Sequence, residues 1–117
     1  MDATDKAWDD NAEMKEWRAW MDKNMPGANK ADANHIYGYS VAALMTETLK
    51  RCGNDLTREN LMKQAANFQK LRLPLLLPGI TVSTSPTDYY PIQSVQLERF
   101  EGETWELFGE VISYEGR

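Results

Sequence analysis

Apolar positions follow two different periods along the chain. In the first half they recur at steps of three and four, the helical spacing: Met14, Trp17, Met21 and Met25 form one stripe, and Trp20 broadens it. Asp10 or Asn11 offers a side-chain cap for that helix, and Asn24, Pro26 and Gly27 close it. A second helix begins near Asp32 or Asn34, with Tyr37, Val41, Leu44, Met45, Thr48, Leu49 and Cys52 on one broad face, and Gly53 stops it. Gly38, Ser40, Ala42 and Ala43 are small enough for another backbone to approach closely, so this helix is expected to be buried on more than one side. The third start is the clearest. Thr57 is the N-cap, Glu59 faces the positive helix end, and Leu56 is placed to staple onto Leu61. Leu61, Met62, Ala65 and Phe68 supply its packing face, and it is expected to fade near Gln69, before Leu73 and Pro74.

Beyond Pro74 the period drops to two. Ile80 and Val82 alternate with Thr81 and Ser83, and Val95 and Leu97 alternate with Gln96 and Glu98, as half-buried strands do. Phe100-Glu101-Gly102-Glu103 predicts a turn, followed by a strand with Trp105, Leu107, Gly109 and Val111 on one face. The pattern is therefore α/β: three helices, then about three short strands, an antiparallel region ending in a hairpin. Helices of a complete α/β domain normally alternate with parallel strands, so these helices read as cladding for a sheet supplied from elsewhere.

Composition narrows the class. A length of 117 residues allows one hydrophobic core, and 42% hydrophobic with 26% charged residues fits a water-soluble domain. A net charge of −5, with Lys and Arg scattered, argues against nucleic acid as a partner. No apolar run approaches a membrane span, and the acidic start MDATDKAWDD does not have the basic-then-apolar order of an export signal. Cys52 is the single cysteine and reads as a small packing residue; His35 is the single histidine, too little for a zinc site.

Catalytic arrangements do not emerge from the spacing. Asp9 and Asp10 are adjacent and point apart on any regular element, and the serines at 83, 85 and 94 have no nucleophile elbow around them. Gly79, Gly102 and Gly109 match no phosphate-cradling loop. No enzyme activity, metal or cofactor is expected. Trp17 and Trp20 read as core rather than as a ligand platform, while Tyr39, two residues on from Tyr37, faces away from it.

Two stretches carry a resemblance: IYGYSVAALMTETLKRCGNDLTRENLMKQAANFQ, and LLLPGITVSTSPTDYYPIQSVQLERFEGETWELFGEVI. Together they resemble the C-terminal part of the type I periplasmic solute-binding proteins of ABC importers, the branched-chain amino acid group and its aromatic-acid relatives, over roughly Trp8 to Ile112. The resemblance implies a partial periplasmic-binding-protein type I fold, in which two lobes close on a solute about a hinge crossed three times by the chain. Residues 1–74 are then the helical part of one lobe. Residues 75–117 are the connector and strands that lead through the hinge to the other lobe.

A position just before the helix resembling Tyr37 to Cys52 lines the cleft in this family, which points to Asn34, His35 and Tyr37 as ligand-binding candidates. Asp88 and Tyr89 fall near the hinge as supports. The Asn-His-Ile-Tyr sequence departs from the apolar contacts of amino-acid binders, so both amino acids and small aromatic or carboxylic compounds stand as solutes. The implied partners are a small-molecule solute, the importer's membrane permease and an N-terminal portion completing both lobes; the implied location is the periplasm, for an exported full-length protein. Two other readings compete: a truncated or self-associating α+β interaction module, suggested by the apolar stripes, and a ligand-sensing domain of a receptor.

Overall fold

In the computed structural model, which describes residues 1–114, Asn11 opens helix α1 (Ala12–Asn24) by accepting the Met14 amide at 3.0 Å. Met14, Trp17 and Met21 are fully buried and meet Ile36 and Leu75 in one cluster; full burial of such a side chain is worth about 1.5–3 kcal/mol. Met25 leaves the expected stripe. It is the capping residue, its backbone has left helical angles, and its side chain is exposed. Gly27, at φ +86°, makes the turn that follows.

Helix α2 (Ala33–Cys52) starts at Asp32, whose carboxylate accepts the Asn34 amide at 2.9 Å. Its buried face keeps Thr48 and Cys52 of the expected one, with Leu44 half-buried, and adds Ile36 and Ser40. Ile36, Ser40, Thr48 and Cys52 point inward, whereas Tyr37, Val41, Met45 and Leu49 form an exposed stripe. Apolar residues stand on the other side of the helix as well, Ile36, Tyr39 and Ala43 among them, so periodicity alone does not decide which side turns inward; tertiary bonds do, notably Ser40 Oγ donating to the Pro74 carbonyl at 2.9 Å. Of the small residues, only Ser40 is fully packed, and a side chain added at Gly38 would meet nothing within 4 Å.

Thr57 caps α3 (Arg58–Ala65), its hydroxyl accepting the Asn60 amide at 3.3 Å. Leu56 is exposed rather than buried as a staple. The helix ends at Ala65, earlier than expected, because the Thr84 hydroxyl takes both loose ends. It donates to the Ala65 carbonyl at 2.7 Å and accepts the Phe68 amide at 3.0 Å. Phe68 then turns inward with Leu73 and Val82 to form a second core cluster.

The segment around Ile80 to Ser83 is not a strand. Val82 makes isolated bridges to Leu71 and Ile92, and the Ser83 and Thr84 hydroxyls accept the Lys70 and Phe68 amides in place of a ladder. Two strands remain, β1 (Ser94–Glu101) and β2 (Thr104–Ser113), paired antiparallel. Their turn is the expected one: Glu101 faces Thr104, and Gly102 sits at φ +75°, a conformation that favours glycine. The ladder is irregular between Val95 and Leu97, where Gln96 Nε2 donates to the Phe108 carbonyl at 2.7 Å. The last three positions of the 75–117 segment lie outside the described residues.

The chain is thus mixed α/β, three helices and a two-stranded antiparallel sheet. Its tie between halves was not foreseen. Asp5, 2% exposed, precedes a short 3₁₀ turn, Lys6–Trp8, and holds the hairpin tip. One carboxylate oxygen accepts the Thr104 hydroxyl at 2.6 Å and the Ala7 amide at 2.8 Å; the other accepts the Trp105 amide at 2.8 Å.

The molecule is a slab of 47 × 37 × 19 Å with a radius of gyration of 16.1 Å, against about 13 Å for a compact chain of this length. Its surface of 8351 Å² exceeds by about 1,900 Å² the value expected of a compact monomer. Its open surface includes the exposed α2 stripe and both sides of the hairpin. Leu97 and Phe108 lie on one side, and Phe100 stacks at a tilt on Trp105, 5.2 Å between rings, on the other.

Candidate functional site

A groove of about 550 Å³ opens between the C-terminal half of α1 and the outer side of α2. Between the two helices the chain leaves α1 at Met25, turns at Gly27 (φ +86°) and restarts as α2 after Asp32. Trp20, Met21 and Met25 line it from α1 and its exit, Gly38, Tyr39, Ala42 and Ala43 from α2, and Pro74 from the segment beyond α3. Trp20 and Tyr39 meet edge to face, centroids 5.2 Å apart at 66°, an arrangement that fixes both rings at the groove wall.

Polar groups sit at its two ends. Asn34 and His35, in the first turn of α2, line one end; Thr46, Glu47 and Lys50 line the other. Glu47 is held by Arg51, 2.8 Å from its Nε. The walls are apolar with convergent polar groups, the usual make-up of a small-molecule site. Chemically the groove can stack a planar or branched apolar body against Trp20 and Tyr39 and offer donors and acceptors to its ends.

The other candidates lie apart from it. Tyr37, 71% exposed, belongs to the outward stripe of α2 and does not line the groove. Asp88 organises its own loop: its carboxylate accepts Gln93 Nε2 at 2.6 Å and the Tyr90 amide at 3.0 Å, while its backbone exchanges bonds with Ser85. Together with Gln69, Ser83, Thr84 and Thr87 it borders a polar depression of about 280 Å³. Tyr89 beside it is exposed.

Trp20, expected in the core, is exposed and lines the groove, Tyr39 lines it where Tyr37 does not, and Lys50 and Pro74 were not among the expected site residues. A signal existed for Tyr39, whose helical angle opposes Tyr37 and so places it toward α1. Pro74 could not be found from local pattern, since it reaches the groove through the Ser40 bond.

Away from the groove, Asp5 is a buried carboxylate held by three donors. The Thr104 hydroxyl first, then the Trp105 and Ala7 amides, hold its carboxyl below the ordinary carboxylate range. Among the described residues no cluster of three or more His, Cys, Asp or Glu side chains could hold a metal ion, and no helix is long and apolar enough to cross a membrane. Cys52 is free and buried. No family model, curated protein or solved structure matches this chain.

Proposed function

We propose that the chain is a solute-binding element of an ABC importer of the type I periplasmic class, acting by binding and cleft closure rather than by catalysis. The observation that carries this reading is the groove, where Asn34 and His35 open beside the Trp20–Tyr39 pair. An α2 with apolar residues on both sides, and a hairpin apolar on both faces, support it. Such elements belong to sheets and helices covered on both sides. In that setting the helices clad one lobe, the segment from Leu75 leads toward the hinge, and Asp88 and Tyr89 lie near it. The solutes are amino acids or small aromatic or carboxylic compounds, the protein partner is the membrane permease, and the compartment is the periplasm.

Calorimetry against aliphatic amino acids, aromatic acids and their amides tests this. One class is expected to bind, with affinity lost in Trp20→Ala and His35→Ala. Heat from no member of the panel would contradict the proposal.

A second reading is an interaction module that associates with itself. It is favoured by the excess surface and by the exposed stripe Tyr37, Val41, Met45 and Leu49.

A further inference from the structure

One turn bordering the groove is held against its own backbone preference. Leu75 and Lys70 are the non-glycine residues at positive φ among the described residues, and Leu75, at φ +66°, is the buried one, 1% exposed. In that left-handed region the Cβ of an ordinary residue crowds the following carbonyl oxygen. The side chain packs in the core cluster with Met14, Trp17, Met21 and Ile36.

The peptide unit between Pro74 and Leu75 is gripped at both ends. Its amide, that of Leu75, donates to Glu13 Oε2 in the first turn of α1 at 2.8 Å. Its carbonyl, that of Pro74, accepts the Ser40 hydroxyl of α2 at 2.9 Å. The same Glu13 oxygen accepts Arg72 Nη2 at 2.9 Å, and Arg72 also donates to the carbonyls of Leu73 and Leu76, on either side of the turn. Rotating this peptide is the short route by which Leu75 regains a negative φ, and it would break the Glu13 and Ser40 bonds together. Strain of this kind persists only where the surroundings over-determine it, and it gathers at functional sites. The groove is adjacent: Pro74 lines it, and so does Met21, which packs in the same cluster as Leu75. Glu13 and Ser40 do not line it.

Resting on the solute-binding reading, we propose that Glu13 and Ser40 are positioning residues of the groove. They clamp the Pro74–Leu75 peptide between α1 and α2, and so hold Pro74 and Met21 in place for a solute that neither of them touches. A supporting shell of this sort is what keeps a binding site in its productive geometry.

Two readouts test it. By NMR without solute, the strong amide-to-α-proton Overhauser contact within Leu75 that marks a left-handed residue is expected in wild type. It is expected to fade in Glu13→Ala and in Ser40→Ala, and to persist in Glu13→Gln, which keeps an oxygen for the Leu75 amide and Arg72. By calorimetry with the solute panel, each alanine variant is expected to bind about tenfold or more weakly, and Glu13→Gln to stay within about threefold of wild type. Asp5→Asn, weakened at the distant hairpin tip, is expected to keep full affinity, which separates positioning from a general loss of stability. Ser40→Ala acts from the opposite helix and supplies the same test if Glu13→Ala does not fold. A left-handed Leu75 in both alanine variants overturns the clamp. A relaxed turn with unchanged affinity, or an equal loss of affinity in Asp5→Asn, overturns its link to the groove and leaves the solute reading standing. A wild type that keeps the left-handed turn and binds no member of the panel overturns the solute reading and leaves the clamp standing.

Discussion

Asp5 shows how one side chain joins distant parts of a chain. Its carboxylate takes three donors, two of them from residues 99 and 100 positions away. Asp5→Asn keeps the size but turns one acceptor into a donor facing the Trp105 amide, at a cost of about 2 kcal/mol in urea denaturation. Because the folded-state pKa is depressed, the stability it contributes is complete above the ordinary carboxylate range. It is lost as pH falls through that range to the lowered value. Trp105 fluorescence is expected to report release of the hairpin tip in that acidic window in wild type and not in Asp5→Asn. Trp17 is the opposite case, a fully buried ring whose Nε1 has no partner. Trp17→Phe removes that unpaired donor and is expected to cost less than Trp17→Ala, which loses about 3–5 kcal/mol by calorimetric melting.

At the scale of elements, what could be read from sequence was what neighbours decide. Asn11, Asp32 and Thr57 each cap a helix through a bond spanning two or three residues, and Gly102 makes the hairpin turn. What could not be read depended on remote contacts. The α2 face was set by Ser40 reaching Pro74, the α3 end by Thr84 reaching back to Ala65, and the lost strand at Val82 by hydroxyls that replaced a ladder. The site divides in the same way. Asn34 and His35 follow from the start of α2, while the Trp20–Tyr39 wall requires α1 and α2 to be placed in space. The inward face of α2 is testable by urea denaturation. Ile36→Ala is expected to cost about 2–5 kcal/mol, whereas Val41→Gln and Met45→Gln stay within about 0.5 kcal/mol.

At the scale of the molecule, the slab shape and excess surface join the two functional readings, because either a larger two-lobed protein or a second copy can cover the open faces. Dilute small-angle scattering is expected to give a radius of gyration near 16.1 Å. A value near 13 Å, that of a compact chain, would mean that the faces close on themselves. The groove itself is tested most directly by heteronuclear NMR during titration with the calorimetric solute panel. Binding at the candidate site is expected to move the Trp20 indole and the His35, Tyr39 and Ala42 amides together, leaving the hairpin signals in place. Shifts centred on the hairpin or on the Asp88 loop, or none with any solute, would contradict it.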